Sequence, residues 1–172
     1  PATGGWSVRP SASPGHHDAV AGGVSTDIPV PADYDGDGRT DIAVWRPATG
    51  GWYVRPSASP GTYTVVRWGL STDTPVPADY DADGMADTAA WRSGSGVWYV
   101  LPSASPGSYR AVAWGMPGDQ PLPGDYDGDG AADFGIWRET TGVWYIRPGQ
   151  GSGGYTATRW GAPGDKVLSV IP

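Results

Sequence analysis

Residues 33–41 read DYDGDGRTD, with aspartates at positions 1, 3, 5 and 9 of the run and a glycine at position 6. Four carboxylates crowded into so short a loop repel one another unless a cation sits among them. The chemistry on offer is therefore cation binding. The run returns as DYDADGMAD at 79–87 and as DYDGDGAAD at 125–133, 46 residues apart each time. A solvated turn without metal is the alternative reading, and three in-phase copies weigh against it.

The same period organises the rest of the chain. PATGGWSVRPSASPG begins at residue 1, PATGGWYVRPSASPG at 47, SGSGVWYVLPSASPG at 93 and ETTGVWYIRPGQGSG at 139. Three full periods account for residues 1–138, and the last 34 residues form a truncated fourth. The absence of a leader-like segment and of an initiating Met suggests a processed chain or an excised segment.

Composition points to short strands. The 172 residues include 28 Gly and 18 Pro but only four Leu, one Glu, one Lys and no Asn, so residues that favour helix are scarce. No apolar run approaches the roughly 20 residues that span a bilayer as a helix. Lack of Cys removes disulfides and thiol chemistry together. The net charge is −7, but twelve of the seventeen Asp lie in the three loops, and three bound divalent cations would leave about −1. With one Lys and dispersed Arg there is no basic stripe, which argues against nucleic acid as a partner.

Within one period four strands are predicted, at 28–34, 40–46, 51–57 and 62–69, each bounded by turn residues. The aspartate loop joins the first to the second, so each unit is an up-and-down meander. In the second strand one parity carries Ile42 and Val44 and the other Ala43 and Trp45. Both faces are apolar, hence both are covered. A sandwich or small barrel would leave one parity polar, whereas a blade stacked between two others would not. The expected fold is an all-β propeller of four-stranded antiparallel blades. Residues 1–27 supply the third and fourth strands of a partial blade; 28–72, 74–118 and 120–164 are complete blades; 165–172 contain a closing first strand, KVLSVI. The partial blade is completed within one chain, between two chains or by more of a longer propeller, and association of chains to complete the ring is the expectation.

The D-Y-D-G-D-G-x-x-D loop, the apolar strand ending in Trp-Arg and the G-x-W-Y-V segment after it resemble the FG-GAP/VCBS repeats of integrin-α-type β-propellers. The resemblance covers essentially every residue. An EF-hand shares the loop signature, but its position 12 needs a bidentate Glu and here is Val44, Ala90 and Ile136. The resemblance implies Ca²⁺ at about three sites, held by the side chains at loop positions 1, 3, 5 and 9 and the carbonyl at position 7. In the first loop these are Asp33, Asp35, Asp37, Arg39 (carbonyl) and Asp41. The second would use Asp79, Asp81, Asp83, Met85 (carbonyl) and Asp87, and the third Asp125, Asp127, Asp129, Ala131 (carbonyl) and Asp133. All-oxygen hard ligands also favour Ca²⁺ over Zn²⁺.

All ten Trp fall on three repeat positions. Trp6, Trp52, Trp98 and Trp144 share one and Trp45, Trp91 and Trp137 a second, and both sets read as core. Trp68, Trp114 and Trp160 end the outermost strand, with Tyr63, Tyr109 and Tyr155 five residues earlier. Packing is one role for this set; the other is stacking of a sugar face on Tyr63 with Trp68, Tyr109 with Trp114 and Tyr155 with Trp160. Polar residues that break the repeat are few: His16, His17, Asp18, Arg110, Glu139 and Lys166. No nucleophile or metalloprotease motif accompanies them. The expectation is a non-catalytic, secreted or extracellular recognition module of lectin-like or adhesive type, whose partner is a glycan or a protein and not a membrane. The alternative is a structural or targeting appendage of a secreted enzyme.

Overall fold

The computed structural model describes residues 3–9, 18–151 and 153–167. Among them there is no helix, and the strands form four antiparallel sheets. The first sheet pairs β1 (Thr3–Val8) with β2 (Asp18–Val24). The second orders β3 (Ile28–Pro29), β4 (Ile42–Arg46), β5 (Gly51–Arg55) and β6 (Thr64–Arg67). The third repeats this with β7 (Thr74–Pro75), β8 (Thr88–Arg92), β9 (Val97–Leu101) and β10 (Arg110–Ala113). The fourth does so with β11 (Gln120–Pro121), β12 (Phe134–Arg138), β13 (Val143–Arg147) and β14 (Thr156–Arg159).

The predicted first strand, 28–34, is shorter than expected. Only Ile28–Pro29 pairs regularly, followed by an isolated bridge from Ala32 to Asp41. Pro29 and Pro31 have no N–H to give a ladder, so only alternate residues can bond to β4. Val30 donates to the Ala43 carbonyl at 2.9 Å, and Ala32 accepts from Asp41 at 2.7 Å. The third predicted strand stops at Arg55, before Pro56, for the same reason. The expected closing strand falls on residues of which only 166 and 167 are described, and neither is in a strand.

Inside each full sheet two Trp stand opposite each other. Trp45 pairs with Trp52, Trp91 with Trp98 and Trp137 with Trp144. The first two pairs and Trp137 are fully buried, as the repeat suggested, whereas Trp6 and Trp144, expected in the core with them, are only half-buried in the first and last sheets. Buried N–H groups need acceptors in so apolar a place, and those of the first two pairs have them, whereas that of Trp137 has none among the described residues. The Trp68 carbonyl receives both Trp45 and Trp52, and the Trp114 carbonyl both Trp91 and Trp98. The turn from β4 to β5 needs glycine at position 50, where φ is +63° and a Cβ would stand 2.7 Å from the Gly69 carbonyl oxygen.

Successive sheets pack on one another in chain order. Trp68 of the second sheet reaches the third, its indole N–H donating to the Tyr99 carbonyl at 3.0 Å. Between the third and fourth sheets Tyr80 stacks on Phe134 with centroids 5.3 Å apart, and Trp98 meets the same ring edge-on. The largest core cluster runs through this joint, from Val76 and Val100 to Ala132 and Ile136.

Candidate metal centre

Each aspartate loop spans the gap between the first and second strands of a sheet, and its own backbone folds the carboxylates inward. Asp33 accepts from the N–H groups of Gly36 and Gly38, both at 2.7 Å. Asp79 and Asp125 do the same with Ala82 and Gly84, and with Gly128 and Gly130. The turn needs left-handed backbone at loop positions 4 and 6. Glycine supplies it except at Ala82, which is held at φ +62°.

The ninth aspartate of each loop is buried: Asp41 at 1 % exposure, Asp87 and Asp133 at 0 %. One oxygen of Asp41 accepts from the Tyr34 N–H at 2.9 Å and the other from the Ser57 N–H at 2.6 Å, tying the loop to the end of β5. Asp87 bridges Tyr80 to Ser103, and Asp133 bridges Tyr126 to Gly149, in the same way. Adjacent loops are joined as well, because the Asp33 and Asp79 carbonyls accept from Ala86 and Ala132 at 2.6 Å.

These groups are electrostatically uncomfortable without a cation. Burial raises the Asp87 pKa to about 6 against two hydrogen bonds that lower it, with Asp81 and Asp83 adding repulsion. Burial, then neighbouring carboxylates, also raise Asp41, Asp81 and Asp127. Burial raises the Tyr80 hydroxyl too, and that proton is occupied in donating to the Val76 carbonyl at 2.8 Å. One buried oxygen of Asp81, Oδ1, has no hydrogen-bond donor at all. A divalent cation would satisfy that oxygen and offset the desolvation of its neighbours.

Among the described residues, three groups of three carboxylates lie with one oxygen of each within 4.8 Å of the others, and each group could hold a metal ion. They are Asp33, Asp35 and Asp37; Asp79, Asp81 and Asp87; and Asp125, Asp127 and Asp133. The structure thus gathers three side chains of each expected four. Asp41 stands outside the first group, Asp83 outside the second and Asp129 outside the third. Asp83 instead accepts from the Ser103 hydroxyl at 2.5 Å, and Asp37 from Ser57 at 2.6 Å, which lowers the Asp37 pKa. The seventh loop residues Arg39, Met85 and Ala131 donate their N–H groups to Asp37, Asp83 and Asp129 at 2.8 Å.

The expected aromatic pairs are rearranged. Trp68 packs against Tyr109 at 5.4 Å and Trp114 against Tyr155 at 5.2 Å, so each pair spans two sheets and none forms within one. The cause is the direction of the outer strand's end, which carries the indole toward the next sheet. Tyr63 and Trp160 are left without such a partner, 71 % and 76 % exposed. His16 and His17 lie outside the described residues.

A second aspartate series escaped the sequence reading. Asp27, Asp73 and Asp119 each grip an arginine of the second strand with two hydrogen bonds, to Arg46, Arg92 and Arg138, at 2.8–3.0 Å. The same carboxylates cap the turns at Val24, Leu70 and Met116. Each guanidinium also lies over a tyrosine of the third strand, Tyr53, Tyr99 or Tyr145, at 4.4–4.6 Å. The signal was present: these aspartates also recur every 46 residues.

No protein-family model matches this chain, and neither a curated protein nor a solved structure is significantly similar to it.

Proposed function

We propose that this chain is a calcium-binding β-propeller module of the FG-GAP/VCBS type, extracellular and non-catalytic, that recognises a glycan or protein. The observation that supports it best is the threefold, in-phase gathering of carboxylates, from exposed Asp37 to fully buried Asp87 and Asp133, in the loops of sheets that pack in chain order. Calcium suits an all-oxygen donor set of this kind. Its role is to clamp each loop between the first and second strands and against the next loop. Chains associate to complete the ring.

Calorimetric titration of the metal-free protein should find about three Ca²⁺ sites. Saturation at a hundred times the dissociation constant adds about 2.7 kcal/mol, so chelation should lower the melting temperature markedly. A melting curve unmoved by complete removal of Ca²⁺ would sink the clamp. A glycan array on the calcium-loaded protein tests recognition; no binding there favours the second reading, an appendage with no ligand of its own. That reading gains weight from the packing of the Trp68 and Trp114 rings against neighbouring sheets, which covers part of two of the three indoles.

A further inference from the structure

The joint between the first and second sheets lacks an indole that the two following it have, and its first sheet has two described strands where theirs have four. In phase with Trp68, Trp114 and Trp160 the first copy has Gly22. At the later joints the indole of this position packs against a tyrosine on the next sheet, and that of Trp68 also donates to the Tyr99 carbonyl. The residues that would receive such a ring at the first joint are retained. Tyr53 and Tyr63 correspond to Tyr99 and Tyr109, and Val44 to Ala90.

What lies between them is open. A Cβ placed on Gly22 would meet no atom within 4 Å. A cavity of about 340 Å³ occupies the joint, walled mainly by Trp6, Val20, Val44, Tyr53 and Tyr63 and reaching the Pro60–Thr62 turn. The corresponding cleft at the joint of the third and fourth sheets is as large, about 360 Å³, but it lies elsewhere: Trp114 bounds it, it runs toward Ser95, Gly96 and Met116, and its lining does not reach the equivalent turn. The two charged groups that line the first cleft are already engaged, Arg46 by Asp27 at 2.8 Å and by the Tyr53 ring, and Arg55 in donating to the Pro60 carbonyl at 2.6 Å. Apolar clefts of a few hundred cubic ångströms with few polar groups are where small ligands bind.

We infer that the cleft at Gly22 is a binding site for a small free molecule carrying an indole-class ring, a flat bicyclic aromatic with one N–H. The chain itself shows the fit, because its own indoles occupy the equivalent space twice. The ring would lie against Tyr63, and its N–H would face the Tyr53 carbonyl, as that of Trp68 faces Tyr99. This site is independent of the cation loops and of any glycan.

The test uses indole itself, followed by saturation-transfer NMR and calorimetry on the calcium-loaded protein. Indole should bind with one-to-one stoichiometry, and 1-methylindole, which has no N–H to donate, more weakly. Gly22→Trp should weaken binding at least tenfold while raising the melting temperature, since it fills the cleft as Trp68 does. Gly22→Leu, a smaller intrusion, guards against misfolding of the first variant and should weaken binding too. Tyr63→Ala should weaken it without shifting the melting temperature much. Absence of indole binding up to its solubility limit overturns the proposal, and so does undiminished binding to either folded Gly22 variant. Competition by a methyl glucoside would also overturn it, by placing a sugar in the cleft instead.

Discussion

The joint between the third and fourth sheets and the joint between the first and second are built from the same repeat and come out differently. At the former, Phe134 stacks on Tyr80, touches Trp98 and lies under Arg110, and the buried cluster runs through unbroken. At the latter, the buried cluster of the second sheet stays within that sheet, around Val30, Trp45 and Trp52, and a cleft reaches in beside it to Val54 and the Pro60–Thr62 turn, where the cleft of the former joint, similar in volume, stops short of the equivalent turn. Two departures from the repeat account for the difference: Phe134 where the other copies have Thr88 and Ile42, and Gly22 where they have Trp. Repetition sets the scaffold, and its exceptions decide which joint is solid and which is open.

The largest effect expected is at the solid joint. Phe134→Ala should cost about 3–5 kcal/mol, because a buried ring is replaced by a cavity that the surrounding sheets cannot close. Thr88→Ala, in phase with it, should cost under about 1 kcal/mol. Urea unfolding of the two variants measures the contrast; equal losses would show that the third and fourth sheets owe nothing special to Phe134.

Next come the arginine clamps, which both joints share. Asp119→Ala strands the Arg138 guanidinium with its two hydrogen bonds unmade, for an expected loss of about 1–3 kcal/mol by thermal melting. Asp27→Ala, at the open joint, should lose no more than this. A larger loss at Asp27 would mean that the clamp, and not packing, holds the first joint.

The pH dependence sharpens the same point. The hydrogen bonds from Arg46 hold the Asp27 carboxyl below its ordinary value of 3.8. Its folded pKa therefore lies beneath its unfolded one, and its contribution is complete above about pH 4 and lost as pH falls through the folded value. The wild type should begin to lose stability below about pH 4, and Asp27→Asn should flatten that part of the curve. An unchanged slope would remove Asp27 from the account.

The smallest effect lies in the central loop. Ala82 sits at φ +62° where the flanking loops have Gly36 and Gly128. Ala82→Gly should stabilise the metal-free protein by about 1 kcal/mol, the left-handed strain relieved less the added freedom of the unfolded chain. Destabilisation would show that the Ala82 side chain makes a contact worth more than its strain.

Much of the candidate site was legible because an aspartate loop of this kind is local. Nine residues carry its turn glycines and its carboxylates, and three copies at one spacing separate it from chance. Less legible were the ligand sets: Ser103, twenty residues beyond Asp83, holds that carboxylate outside its group, while Asp37 stays within its own although Ser57 bonds it. The clamps of Asp27, Asp73 and Asp119 were visible as a period but not as a purpose, their partners standing 19 residues away on another strand.

The sequence by itself determined the all-β class, the meander of four strands, the in-phase loops and the burial of the paired Trp in the second and third sheets, because each follows from spacing along a few neighbouring strands. It also carried, through Pro29, Pro31 and their in-phase copies, the brevity of each first strand. Only the tertiary structure decided what crosses between sheets: that Trp68 turns to Tyr109 and not Tyr63, that Phe134 welds one joint, and that Gly22 opens another. Those outcomes depend on which face of one sheet meets which face of the next, and periodicity repeats that choice without stating it.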